Sequence, residues 1–151
     1  MDRTTERKRI REIWRDDGAG IMAMLERQFT VLHNRAQVLL GLCGIILSAT
    51  GFSGRIVAGT NRLAQALIVA GVIGVLAAAV LNGWGVLHVR WLTQQPGATL
   101  DEWLDVSLRY RDRKTAFYRA ALAALLLGLA CYVGAISVML ANPLEGGLPA
   151  R

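Results

Sequence analysis

Two histidines, two cysteines, one apolar-flanked amide and a cluster of basic residues are the side chains with which this 151-residue chain could do chemistry. His33 and His88 stand two residues before Arg35 and Arg90. No third ligand follows from their spacing, so they are read as interfacial hydrogen-bonding groups and no metal is expected. Cys43 and Cys131 fall at different depths along their helices and are expected to be free thiols. Glycine-rich phosphate loops, HExxH, CxxC and Ser-His-acid arrangements are lacking in the sequence, so no catalytic residue, no cofactor and no enzyme activity is expected. Asn82 sits inside an apolar run, where an amide needs a neighbouring helix or a water as partner. The segment YRDRKTAFYR, residues 110 to 119, suits a snorkelling collar at a membrane surface. Its Arg111, Arg113 and Lys114, with Arg35 and Arg90, also form a candidate basic site for phosphate, from a lipid headgroup or a nucleotide.

The elements that must position these groups are three uncharged runs. RAQVLLGLCGIILSATGFSGR, residues 35 to 55, holds nineteen uncharged residues between two arginines. As a helix that run reaches roughly 28 Å, close to the hydrocarbon thickness of a bilayer. Leu63 to Leu87 and Ala120 to Leu144 are each twenty-five residues without Asp, Glu, Lys or Arg. A soluble chain of this length has no core large enough to hide three helices apolar on every face. An all-α membrane protein with three transmembrane helices is therefore expected, with spans at about residues 36–54, 63–89 and 120–142. The first run begins after thirty-five mostly polar residues, too late for a cleaved signal peptide.

Orientation follows from the basic residues between the runs. Eight Lys and Arg precede the first run and six fall between the second and third, against Arg55, Arg62 and Arg151 elsewhere. Fourteen against three places the N-terminus inside and the C-terminus outside, with cytoplasmic helical extensions. Trp14, Trp84, Trp91 and Trp103 fall on or near the same side. The net charge of +6 is explained by this bias. Because the basic residues alternate with Asp2, Glu6, Glu12, Asp16, Asp17 and Glu26, the expected partner is anionic lipid and not nucleic acid.

Residues 1–20 read as a cytoplasmic N-terminal helix, about 2 to 16, interrupted by DDGAG, and residues 21–151 as the three-span domain with its stalk. Ile21, Leu25, Phe29, Leu32 and Ala36 recur at helical spacing without Gly or Pro, so the first span is expected to begin in the cytoplasm and to end at Gly51 or Gly54. Thr60 or Asn61 can cap the second span. Thr99-Leu100-Asp101-Glu102 after Pro96-Gly97 is a capping box that starts another helix, which continues into the third span. Leu100, Trp103, Leu104 and Leu108 give it an apolar stripe, expected to pack on the stripe from Ile21 to Leu32.

Helices in lipid gain little from hydrophobicity when they meet, so small residues mark where backbones approach. The second run carries Ala66, Ala70, Gly74, Ala78 and Asn82 as a ridge four residues apart. The first carries Gly41, Gly44 and Ser48, and the third Ala124 and Gly128. These faces serve packing within the protomer, and what remains of them joins protomers into a homo-oligomer.

The first run opening NRAQVLLGLCGIILS, a tight hairpin, and a charged helix RDRKTAFYRAALAALLLGLA running into the third span together resemble the membrane-effector domain of Pycsar antiphage systems and the related SLATT-type bacterial membrane domains. Arg35-Ala36 and Leu39-Leu40-Gly41 stand at the Lys-Ala and leucine-glycine positions of that family, while His33 and Asn34 replace its acid. The resemblance implies a self-associating bacterial inner-membrane protein that impairs membrane integrity in a defence or stress system. The competing expectation is a non-enzymatic anchor or accessory subunit whose cytoplasmic helices dock a soluble partner.

Overall fold

The computed structural model describes residues 3–15, 17–57, 61–87 and 99–141. They form four helices, α1 (Arg3–Trp14), α2 (Gly18–Val57), α3 (Arg62–Asn82) and α4 (Leu100–Ala141), with α3 continued by a π-helical turn, Gly83–Leu87. No strand occurs among the described residues. Three of these helices are long and apolar enough to cross a membrane: Gly18–Phe52, Arg62–Leu87 and Leu100–Ala141.

Local chemistry sets most helix ends. α1 stops at Trp14 because Arg15 adopts a left-handed φ of 46° and the Asp17 N–H then donates to the Trp14 carbonyl at 2.8 Å. Asp17 starts α2: its carboxylate accepts from the Ala19 N–H at 3.1 Å and its carbonyl from the Ile21 N–H at 3.1 Å, as an N-cap does. Gly20 faces the Trp14 ring so closely that a Cβ there would collide with it. Asn61 caps α3, accepting from the Leu63 N–H at 3.2 Å. Thr99 caps α4, its hydroxyl accepting from the Glu102 N–H at 3.3 Å, and Asp101 and Glu102 oppose the positive end of the helix dipole.

Two boundaries differ from the sequence reading. α2 passes through both Gly51 and Gly54 and ends at Val57. The second span leaves α geometry at Gly83, where i→i+5 bonding begins. Of the expected helix over residues 2 to 16, Arg3–Trp14 is helical and Arg15 is not, while residues 2 and 16 lie outside the described residues. Residues 88–89 and 142 of the expected spans, together with Thr60, His88 and Arg90, lie outside the described residues.

The chain divides into two compact units, Met1–Val38 with Leu81–Arg119, and Leu39–Val80 with Ala120–Arg151. In the first, α1 packs with the helices from Gly18 and Leu100, and Ile10, Ile21, Leu25, Leu104 and Leu108 form its apolar core, flanked by Met24, Phe29, Leu100 and Trp103. The stripes expected to meet do so, and Phe29 adds a tilted ring contact with Tyr110 at 5.7 Å. In the second unit the buried side chains are small, among them Ala64, Ala78, Ala121 and Ala135, with Cys43, Val75 and Leu125. Large apolar side chains lie on its outside: Ile45, Phe52, Val69, Ile73, Val80, Leu126, Leu127, Val133 and Leu140 are all exposed.

Candidate functional site

Each spanning helix presents an inward seam on a repeat of about 3.5 residues, the spacing of left-handed helix packing. In α3 the buried positions are Ala64, Gly71, Val75, Ala78 and Asn82, and in α4 they include Lys114, Ala121, Leu125, Gly128 and Ala135. The four-residue ridge read from the sequence follows a different course. Successive i+4 steps rotate by about 40°, so the five members from Ala66 to Asn82 wind through about 160°. Ala78 and Asn82 are buried and Gly74 half-buried, whereas Ala66 and Ala70 are exposed.

In the second unit Gly71 and Gly74 pack closely against Gly128. A Cβ on Gly128 would lie 2.9 Å from the Gly71 carbonyl oxygen and 3.1 Å from the Val75 nitrogen, and one on Gly74 would lie 3.0 Å from the Gly128 Cα and 3.3 Å from the Ala124 carbonyl oxygen. Gly74, Ala124 and Gly128 thus pack α3 on α4 within one protomer. Gly71 completes the contact and was missed, because the ridge bypassed it; its seven-residue offset from Ala64 and Ala78 was the available signal. Tyr132 crosses the same contact and shares a hydrogen bond of 2.8 Å with the Thr50 hydroxyl, which also bonds the Ile46 carbonyl at 2.7 Å.

Gly41, Gly44 and Ser48 lie elsewhere. All three are exposed, and space around a Cβ at Gly41, Gly44 or Gly51 is empty to 4 Å. Gly41, Gly44, Ser48 and Gly51 are spaced three, four and three. They form a second seam roughly 130° around α2 from the inward one of Ala36, Leu39 and Cys43.

Polar groups in the first unit are mostly spoken for. The Asn82 amide nitrogen donates to the Ala36 carbonyl at 2.6 Å, the interhelical bond expected of it, while Asn82 Oδ1 is buried without a partner. The Lys114 ammonium, also buried, donates to the Val86 carbonyl in the π-turn at 2.7 Å and stands 4.9 Å from the Tyr110 ring centre. Arg111 spends five N–H bonds on acceptors from three helices: Glu6 Oε1 and Oε2 at 2.7 and 3.0 Å, Gln28 Oε1 at 3.3 Å, and Asp112 Oδ1 at 3.2 and 2.8 Å. The Glu6 hydrogen bond pushes the Arg111 pKa above the ordinary guanidinium range, partial burial pulls the other way, and Asp112 reinforces the rise.

The basic residues grouped as a phosphate site therefore fall into different settings. Arg111 is saturated by carboxylates and Lys114 is turned onto the π-turn. Arg113 is exposed, 5.8 Å from the Phe117 ring centre, and Arg35 is exposed. His33 Nε2 is 3.2 Å from Gln37 Nε2, one turn along α2. Cys43 and Cys131 are free thiols, and no three His, Cys, Asp or Glu side chains gather to hold a metal among the described residues.

These features define the class as an all-α protein with three helices able to span a membrane. Comparison with protein-family models, curated proteins and solved structures finds no match.

Proposed function

We propose that this is a bacterial inner-membrane protein that crosses the bilayer three times, N-terminus inside, and self-associates through α2 to act on the membrane itself. The observation that carries assembly is the outward seam of Gly41, Gly44, Ser48 and Gly51, where the missing side chains leave open space. Small residues at that spacing let a second backbone approach, which is where helices in lipid gain contact. The inside position of the N-terminus is supported by the fourteen-to-three distribution of Lys and Arg. The action on the membrane rests on the resemblance to Pycsar and SLATT-type domains.

Mass measurement in nanodiscs tests assembly: Gly44→Leu should convert the oligomer to a monomer that still inserts and keeps its thermal stability. A monomeric wild type would refute the reading. Reporter fusions at residues 58, 97 and 151 test topology, with a cytoplasmic signal expected only at 97. Loss of membrane potential on induction, abolished by Gly44→Leu, is the expected signature of an effector. The anchor reading is favoured by Ile13, which α1 leaves 66% exposed on the charged unit; it predicts silent expression and a co-purifying soluble partner.

A further inference from the structure

α1 is fastened to its unit by charge more than by packing. Among its described side chains only Ile10 is buried in the apolar core, while Ile13 stays exposed. Among the described residues, ion pairs hold it at two places on its length. Glu6 meets Arg111 with both oxygens, at 2.7 and 3.0 Å, a fork-to-fork geometry that fixes orientation as well as position. One and a half turns further, Arg11 meets Asp101 at 2.7 Å, with Arg7 at 4.0 Å from the same carboxylate. Both members of the Arg11–Asp101 pair are more than one-third exposed, so solvent and salt weaken it. The link to α2 is short and holds Arg15 at φ 46°, a left-handed conformation that a side chain other than glycine adopts reluctantly.

We infer that α1 is an electrostatically fastened strap, closed over the groove of Ile21, Leu25, Leu104 and Leu108 and released as one piece about Arg15 when its two ion-pair fastenings are weakened. Closed, it covers apolar side chains that water would otherwise wet and occupies the Arg111 fork with Glu6. Open, it exposes that groove and leaves Arg111 with Asp112 and Gln28 but without Glu6. The device couples the charge environment of the first unit to the accessibility of an apolar surface.

Spin labels at Thr5→Cys and Thr30→Cys, in a Cys43→Ala and Cys131→Ala background in nanodiscs, read the strap directly. A single short distance is expected at low salt. Glu6→Gln combined with Asp101→Asn should replace it with a long, broad distribution, lowering the closed fraction by roughly tenfold or more, because each fastening loses its charge partner. Wild type in about 1 M NaCl should shift the same way in part, since the exposed pair is screened and the Glu6 pair less so. Ile10→Ala should keep the short distance at low salt. A second label pair, Thr30→Cys and Arg109→Cys, should stay unchanged in the charge variant. Persistence of the short distance in that variant would overturn the inference, as would its loss in Ile10→Ala. Broadening of the second pair would also overturn it, because the ion pairs would then hold the whole unit and not a strap.

Discussion

In the first compact unit the inside is chiefly Ile and Leu flanked by aromatic carbon, and the outside is largely charged; in the second, both sides are apolar, and the inside is mostly small residues. Leu25, Leu104 and Leu108 are buried in one, whereas Gly71, Gly128, Ala78 and Ala121 are buried in the other. The same α2 and α4 contribute to both units, so helix type does not cause the difference. Water sorts residues by polarity, because burying apolar area removes it from an unfavourable solvent. Lipid offers no such distinction, and close backbone contact decides which face turns inward. The surface of the second unit, with Phe52 91% exposed and Leu140 77%, is what a lipid-facing protein presents.

The largest expected effect attacks the close contact. Gly128→Leu places a branched side chain where even a Cβ would lie 2.9 Å from a backbone oxygen. Neither backbone can yield by rotating a side chain, so the cost is about 3 kcal/mol or more. Thermal unfolding in detergent should show a folded population that is strongly reduced, and wild-type stability would mean that α3 and α4 do not meet there.

Next in size is the clamp of the other unit. Arg111→Met keeps an unbranched apolar stem but strands the Glu6 and Asp112 carboxylates, with Arg111 18% and Glu6 25% exposed. Partial solvation moderates the loss, which should be about 2 kcal/mol. The comparison sharpens if amide hydrogen exchange accelerates in residues 3–14 and 18–30 while residues 63–80 keep their protection. Uniform acceleration would mean that the two units unfold together.

Much of this was legible in the sequence, for reasons that are local. Three uncharged runs mark spans because a charge in hydrocarbon is costly, and Asn61 and Thr99 cap their helices because capping depends on neighbours in sequence. The Ile21–Leu25 and Leu104–Leu108 stripes were readable because water enforces them. The ridge in α3, of which Ala78 and Asn82 are buried and Ala66 and Ala70 exposed, was harder to sort for the opposite reason. In a run of Ala, Gly, Val and Leu no polar residue reports the direction of solvent, and only the difference between a 4-residue and a 3.5-residue repeat separates the faces. Glu6 and Arg111 are 105 residues apart, and nothing local to either announces the pair. The π-turn at Gly83–Leu87 had equally little signature, although Gly85, which lies hard against the Phe117 ring, marks a place where no Cβ fits.

A smaller effect probes a hydroxyl bridge in the apolar unit, between Tyr132 and Thr50. Tyr132→Phe removes the bond to Thr50 and leaves the ring beside Gly71. Interhelical hydrogen bonds in membranes are modest, so the loss should be about 0.6 kcal/mol. A loss several times larger would show that polarity, and not size, sorts this unit too.

The smallest effect on the protomer is also the sharpest test of where copies meet. At Gly41 a methyl group would touch nothing within 4 Å, and mid-helix glycine is poorer than alanine by roughly 0.5–1 kcal/mol. Gly41→Ala should therefore leave the monomer as stable as wild type or raise its melting temperature slightly, the opposite sign to Gly128→Ala, where the same methyl group meets backbone. If the outward seam of α2 is where protomers join, the same substitution should weaken self-association, because two backbones must then stand further apart. Stability and association would move in opposite directions in one variant. Unchanged association in Gly41→Ala and in Gly44→Leu alike would mean that the seam faces lipid and that assembly, if measured, uses another surface.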